Sequence, residues 1–574
     1  MSRNSRWLLV LILIVAFLVR FWDLKNSPVS LYWDEMDVGY QAYSILQTGK
    51  DYFGNLPGLT VRSFADFRAP LVVYTTVPFV AVLGLSNISV RLPAAIFGVV
   101  SIFLIFTLAR MLFKSEKAGL LSAGLMVFVP WNFHYSRMAF EAALLLVFFL
   151  GGIIAFLRGV KSPKWFIFSG VMFGLTVFTY NTAKLFVPLI VLGMAALYIK
   201  KRQLKKDFLL AVAVFGLLFL LSLYTTFYLG GGQRFAEISV VTDPQLASKT
   251  DFLRQLSATS YTDNRNTGMA VRNLDKIIYN KATLVLERVS QNYLKVFSTD
   301  FLFVTGDPNL RHSTGRFGEF FAIEAVTILF GFAFILFKLK EGDKNSLLVL
   351  LWIILAPLPA VITREGGTHA TRLFFLFPAL TLLSAQGLIL IWKFLPAKIN
   401  FAAILTFIFF YGFGTASFLN YYLGAYKLDS AKVFQYGFNQ AVDKAVDNIA
   451  SYDYVIIDDR RDSALMNYLF NTGYDPKAFQ SQINGLQTKI AGSEGDKINN
   501  LIMMKPGVRD WQEIFYRNLI TGKLLLIVSA EQLQEQSPEK VALKLTKNQK
   551  MLEVIYYKYD SPAFYVIESR PENN

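Results

Sequence analysis

The chain has 574 residues and no cysteine; it is 54% hydrophobic, 15% aromatic and only 17% charged, against about 25% charged residues in soluble chains. This composition excludes disorder, a disulfide scaffold, zinc–thiolate and iron–sulfur centres and a cysteine nucleophile, and it argues against an ordinary soluble enzyme. The formal net charge is +16, yet residues 425–574 carry 18 Lys+Arg against 19 Asp+Glu while the remainder carries 39 against 22. The whole excess lies in the hydrophobic part, as positive-inside membrane topology requires, and no basic–aromatic groove or known module points to nucleic acid.

A membrane-crossing helix needs about 20 apolar residues. In chain order, such stretches lie at 7–22, 89–110, 118–134, 139–157, 165–181, 184–199, 207–229, 319–338, 346–362, 372–394 and 400–422, which predicts about 11 transmembrane helices. The first has a basic start, Arg3 and Arg6, and no small-residue cleavage site, so it reads as an uncleaved signal anchor. Basic residues recur in alternate loops: Arg110, Lys114 and Lys117; Arg158, Lys161 and Lys164; Lys200 to Lys206; Lys338, Lys340 and Lys344; Lys393 and Lys398. Placing these in the cytoplasm puts the N-terminus inside and residues 425–574 outside. The apolar segment 70–85 has 16 residues with Pro78 inside it. Counting it as a crossing would invert every later loop, so it is expected to be a juxtamembrane or re-entrant helix on the outer face, the alternative being two reciprocal short spans. Two long outer loops follow, about 24–88 and 230–318.

The first outer loop opens with Tyr32-Trp33-Asp34-Glu35-Met36-Asp37. Apolar residues at Met36, Tyr40, Tyr43 and Leu46 recur at helical spacing and Gly49 would close the helix. Asp34 is expected as its N-cap, with Asp37 at the third position. A capping carboxylate is rigidly aimed, so Asp34 and Glu35 are also candidates for a general base or metal ligand at the membrane surface. In the next outer loop Arg137 and Glu141 are four apart; on a helix they would share a face and could pair, or form an active-site wall with Glu141 facing the site and Arg137 holding a phosphate. The end of the second long loop, Gly306-Asp307-Pro308-Asn309-Leu310-Arg311-His312-Ser313-Thr314-Gly315-Arg316, sets two arginines and a histidine beside a turn, a pattern suited to an anion or to a plain surface turn. A further outer loop holds Arg364, His369 and Arg372, where guanidinium groups at the lipid interface suit a lipid phosphate or serve as snorkelling anchors. The three histidines, His134, His312 and His369, all fall on the outer face with no zinc-motif spacing. Glu324 is the main ionisable residue within the spans, and no inverted repeat of interrupted helices is apparent, so chemistry at the outer surface fits better than transport.

Residues 425–574 read as a separate α/β domain. Strands are expected at 454–457, 524–528, 552–556 and 564–567 and helices at about 434–450 and 463–470. The domain has no phosphate loop or nucleophile elbow, so it reads as a cap or acceptor-docking unit.

The order Asp34-Glu35, Gly49-Lys50-Asp51-Tyr52-Phe53-Gly54, Pro70-Leu71 and Arg91-Leu92-Pro93-Ala94-Ala95-Ile96-Phe97-Gly98 resembles the GT-C glycosyltransferases. It is nearest the bacterial branch around the protein O-mannosyltransferases and the lipid A aminoarabinose transferase, family 39-like. Ser136-Arg137, Asp307-Pro308-Asn309 with Arg311-His312, and Arg372 with Pro378 are similar to that branch. The resemblance covers about 1–424, a transmembrane glycosyltransferase domain, and says little about 425–574. It implies a multi-pass enzyme of the plasma membrane that takes a sugar from a polyprenyl-phosphate carrier. It places the first-loop acid on Asp34, with Glu35 beside it, and the second-loop acid on Glu141. Metal dependence varies across the superfamily; a divalent cation is compatible with this chemistry and not required by it.

The reaction so implied is inverting glycosyl transfer at the outer leaflet. Asp34 takes the acceptor hydroxyl's proton, and arginines such as Arg372, Arg364 and Arg137 steady the leaving phosphate. The partners are the lipid-linked sugar, a glycan, lipid or protein acceptor, and membrane lipid. The alternatives are a lipid-linked glycan flippase or polymerase, which would need a polar path through the spans, and a non-enzymatic scaffold or sensor, which has no reason to gather Asp34 and Glu141 in one cavity.

Overall fold

The computed structural model describes residues 1–64, 67–230, 232–260, 273–459, 464–490, 493–504, 522–558 and 561–570. Each of the eleven apolar stretches contains helix, though 118–134 divides between Glu116–Phe128 and Pro130–Tyr135. Seven helices are long and apolar enough to cross a membrane: Arg3–Phe21, Asn87–Phe113, Ala142–Gly159, Lys206–Tyr228, Lys344–Val361 with a break near its end, Leu376–Phe394 and Ile399–Leu423. The remaining four, Glu116–Phe128, Lys164–Val177, Ala183–Tyr198 and Glu324–Lys340, have 13, 14, 16 and 17 residues. At about 1.5 Å per residue they fall short of a hydrocarbon layer of about 30 Å, so eleven full crossings do not follow from helix length. The helix at Leu71–Leu83 has 13 residues and contains Pro78; it too is short of a crossing.

Hydrogen-bonding side chains at the loops explain where several helices start. Ser2 accepts from the Ser5 N–H, Ser115 from the Ala118 N–H and Asp343 from the Ser346 N–H, each satisfying an otherwise orphaned donor. The three outermost helices, Arg3–Phe21, Lys206–Tyr228 and Ile399–Leu423, bury little of their apolar surface within the protein. Leu217, Leu220, Phe409 and Phe413 are among the large side chains they expose, a flank suited to lipid rather than water.

The basic loops are tied together at one end of the helices. The N-terminal ammonium lies 3.1 Å from Glu116. The Asn345 amide donates to the Leu112 carbonyl and accepts from the Tyr198 hydroxyl, and the Lys117 ammonium sits 5.4 Å from the Trp392 ring centre. Helix Ala142–Gly159 runs from Glu141 at the opposite end to Arg158 here, and Leu376–Phe394 runs from beside Arg372 to Lys393.

Helices Glu324–Lys340 and Leu376–Phe394 approach backbone to backbone. A Cβ on Gly387 would stand 1.8 Å from the Thr327 carbonyl oxygen, and one on Gly331 1.9 Å from that of Leu383, so only glycine permits this small-residue crossing. Gly387→Val should force the helices apart, at a cost of about 1–3 kcal/mol, read as a lower melting temperature of the detergent-solubilised protein.

At the end opposite the basic loops, buried arginines clamp the chain. Arg137 donates to the carbonyls of Val19, Arg20, Trp22 and Ser27. Arg91 donates to those of Leu24, Pro28 and Ser30 and pairs with Glu35 at 3.1 Å. Arg20 holds Met126 and Val127. These bonds fix the turn that leads into helix Trp33–Thr48, which Gly49 closes in a left-handed conformation, φ 71°. Its N-cap is Tyr32, not Asp34: Glu35 rather than Asp37 occupies the third helical position and reaches back to the Tyr32 N–H.

A two-stranded hairpin, β1 (Val61–Arg62) and β2 (Phe67–Arg68), follows that helix. The C-terminal residues build a seven-stranded sheet from β3 (Tyr454–Asp458), β4 (Gln487–Ile490), β5 (Ser493–Ile498), β6 (Leu501–Met504), β7 (Leu524–Ser529), β8 (Gln549–Tyr556) and β9 (Pro562–Ser569), in the order β4-β5-β6-β3-β7-β9-β8. The β6-β3-β7 centre is parallel and the rest antiparallel. Helices Phe438–Asn448 and Ala464–Thr472 stand close to the expected positions; part of 463–470 lies outside the described residues. The sheet unit is joined to helix Trp33–Thr48 and the residues after it: Tyr40 and Tyr52 share its apolar core with Phe479, and the Gln480 amide donates to Thr48 and to the Asp51 carbonyl.

Candidate functional site

One cavity, of about 320 Å³, opens at the end away from the basic loops. Asp34, on the first turn of helix Trp33–Thr48, lies on one wall with Phe67 and Arg68 from β2. Phe140 and Glu141 come from the turn before helix Ala142–Gly159, and Thr179 to Thr182 from the link between the next two helices. Asn309, Arg311 and His312 come from the segment before helix Glu324–Lys340, and Thr363, His369, Thr371 and Arg372 from the segment before helix Leu376–Phe394. Residues spread over nearly 340 positions of sequence thus share one concave surface.

Asp34 is gripped from two sides. The Arg68 guanidinium donates to the Asp34 Oδ1 and to the Asp34 carbonyl oxygen, and Arg311 stands 3.7 Å from Oδ2. Arg68 is forked: its Nε lies 3.0 Å from the buried Asp37. Asp37 in turn accepts from the hydroxyls of Tyr52 and Ser63. Burial pushes the Asp37 carboxyl up from its ordinary range, against the pull of Arg68 and the Tyr52 hydrogen bond. Arg311 also lies over the Tyr32 ring, 4.3 Å from its centre, and Arg372 donates to the Thr363 hydroxyl at 2.7 Å. The site therefore sets three carboxylates, Asp34, Glu141 and Glu365, among three guanidinium groups, Arg68, Arg311 and Arg372.

Three of the residues singled out from sequence do not line this cavity. Glu35 is fully buried and carries the Arg91 pair and the Ala139 N–H. Arg137 is fully buried on its four carbonyls; residues 136–141 form a turn, so it does not share a helix face with Glu141. Arg364 sits aside, 3.9 Å from Asp243. Sequence reading passed over Arg68 and Asp37's partnership with it. The available signal was a basic residue just before an apolar helix, Leu71–Leu83, on the side where the sequence places few basic residues.

Two of the three histidines do come together. The rings of His312 and His369 stack at 4.3 Å, and His312 Nδ1 lies 3.1 Å from Asp307 Oδ2, which also accepts from the Ala370 N–H. Asp307, His312 and His369 each offer a ligand atom within 4.8 Å of the others, a donor set that suits zinc or a similar divalent cation. Burial, with His312, Arg372 and Arg311 nearby, holds His369 well below its ordinary pKa and so neutral, the form that ligates. His134 is buried elsewhere, against the Tyr422 hydroxyl and the Arg311 carbonyl.

Residues 68–224 match the family described as dolichyl-phosphate-mannose-protein mannosyltransferase. Among solved structures, the oligosaccharyltransferase of Archaeoglobus fulgidus in complex with Zn and sulfate is 15% identical over 81% of this chain and 61% of that one, with a TM-score of 0.50. ArnT from Cupriavidus metallidurans in the apo state is 14% identical over 99% of this chain and 98% of its own, TM-score 0.49; the same protein bound to undecaprenyl phosphate is 13% identical over 97% of each chain, TM-score 0.48. The chain spans 61–64% of the length of the oligosaccharyltransferase chains it matches. No curated protein sequence matches. The protein is a mostly helical membrane protein, and the likeness to GT-C glycosyltransferases read from its sequence is borne out by the family match over residues 68–224. At such identities the structural likeness is one of fold.

Proposed function

We propose that this protein transfers a sugar from a polyprenyl-phosphate donor to an acceptor hydroxyl, with inversion, in the cavity between Asp34 and Arg372. The observation that carries this reading is the meeting of three carboxylates, Asp34, Glu141 and Glu365, with three guanidinium groups in one pocket. The matched family's description names a lipid-phosphate sugar, in agreement. In the reaction the acceptor oxygen attacks the anomeric carbon, its proton passes to Asp34, and the anomeric C–O bond breaks with its electron pair going to the phosphate oxygen. Arg311 and Arg372 stabilise the charge that develops there. Arg68 fixes the Asp34 carboxylate, and Glu141 holds sugar hydroxyls. A divalent cation on Asp307, His312 and His369 would supply further phosphate charge neutralisation when bound.

The test is incubation of purified protein with a panel of radiolabelled polyprenyl-phosphate sugars, scoring release of free lipid phosphate. Turnover of at least one donor is expected; no release from any donor, with any acceptor extract, contradicts the proposal. Arg372→Ala and Arg311→Ala should each cut kcat/KM about 10- to 100-fold, with Arg372→Lys recovering only part because the lysine point charge lacks the fork.

The same reading puts the cavity on the outer side of the plasma membrane and the basic loops in the cytoplasm. The native chain has no cysteine, so single cysteines report sidedness cleanly. Cysteine in place of exposed Asn181, in the cavity, should react with a membrane-impermeant maleimide on intact cells, whereas cysteine in place of exposed Lys201 should react only after permeabilisation. The reverse pattern would overturn this orientation.

A further inference from the structure

A second cavity, of about 620 Å³, lies between the first outer loop and the C-terminal sheet unit. Its size falls in the about 300–1,000 Å³ range of small-molecule sites. It shares a wall with the first. Trp33 lines this cavity while Asp34, the next residue, lines the other. Arg62 and Ser63, on and after β1, line this one, while Phe67 and Arg68 of the partner strand β2 line the other. Ser63 donates to Asp37, which holds Arg68, which grips Asp34. The two cavities are thus back to back across one helix turn and one hairpin.

The chemistry of the two differs. The first gathers six charged side chains, Arg68, Arg311 and Arg372 against Asp34, Glu141 and Glu365, with two histidines beside them. The second has one cation, Arg62, and one carboxylate, Asp496, so it balances. Its aromatic wall is pre-organised: Phe64 stacks on Tyr52 with ring centres 5.0 Å apart, Phe53 lies 5.3 Å from Phe64, and the Arg62 guanidinium lies 4.4 Å from the Phe53 ring centre. Opposite stand the amides of Asn484 and Gln487, both exposed and without a hydrogen-bond partner among the described residues. Aromatic faces accept the C–H side of a pyranose ring, and planar amides and a carboxylate satisfy paired ring hydroxyls, which act as donor and acceptor at once. A lipid would find too many polar groups here, and an anion no net positive charge.

We infer that this cavity binds a neutral oligosaccharide, the part of the acceptor that lies behind the reacting sugar, so that the acceptor is a glycan. The inference rests on the glycosyl-transfer reading for its meaning, but it is tested by binding alone. A printed array of defined neutral oligosaccharides is probed with the full-length protein in nanodiscs, and the strongest hit is examined by saturation-transfer NMR. Binding is expected, and Trp33→Ala and Asn484→Ala should each weaken it at least about tenfold, the exposed Asn484 serving as the variant with no core role. Polyprenyl-phosphate binding should be unchanged in Asn484→Ala. Absence of any array hit, binding indifferent to both variants, or binding confined to Ser/Thr peptides in a parallel screen would overturn the inference. A saccharide that binds here while no donor is turned over would instead leave this cavity standing and sink the transfer reaction.

Discussion

Asp34→Asn should abolish sugar transfer while leaving the protein folded in the membrane. Asparagine keeps an oxygen for the Arg68 hydrogen bond but cannot take the acceptor's proton. General-base catalysis of this kind is worth about 10²–10⁴-fold, so kcat should fall by that factor with a melting temperature near wild type. Donor binding should persist, because Arg311 and Arg372 remain. Turnover within about threefold of wild type would show that another group removes the proton, and Glu141 across the cavity would be the next to test.

The adjacent acid should behave in the opposite way. Glu35 is buried against Arg91, accepts the backbone N–H groups of Tyr32 and Ala139, and touches neither cavity. Removing one partner of a buried ion pair costs about 3–5 kcal/mol, because the other charge is left uncompensated. Glu35→Leu should therefore give little folded protein and a sharply lowered melting temperature, while whatever folds retains kcat within a few-fold of wild type. Combining it with Arg91→Leu should recover part of the loss; the rest persists because Arg91 also satisfies three carbonyls. A well-folded, inactive Glu35→Leu would place Glu35 in the chemistry instead. Two carboxylates side by side in sequence thus separate by readout, one in rate and one in stability.

Much of the architecture is legible in the sequence because it rests on one-dimensional signals. Apolar runs mark the helices, alternate basic loops mark the end where Glu116, Asn345 and Trp392 tie them together, and β-branched runs mark β3, β7, β8 and β9. Strands β4 and β5 were missed because Gln487–Ile490 and Ser493–Ile498 carry polar sequences without a clear alternation, and the short β6 went with them. In the site, Asp34, Glu141, Arg311, His312, His369 and Arg372 stand in the loops that topology sends to one side, so sidedness alone brings them near one another. What the sequence withholds is which way each side chain turns. Arg137 differs from Arg372 in the four backbone carbonyls folded around it, and Glu35 from Asp34 in the Arg91 guanidinium and the two backbone N–H groups that meet it. Arg68 and Asp37 matter through a fork and a hydrogen-bond chain that no spacing announces.

The most direct test of the account is a structure of the protein with a polyprenyl-phosphate sugar, by cryo-electron microscopy of the Asp34→Asn variant so that the donor stays intact. The account predicts phosphate density within hydrogen-bond reach of Arg311 and Arg372, the lipid tail leaving between the helices, and the anomeric carbon facing residue 34. Phosphate density at the basic end, beside Lys117 or Lys344, or a sugar with no contact to the cavity between Asp34 and Glu141, would contradict it.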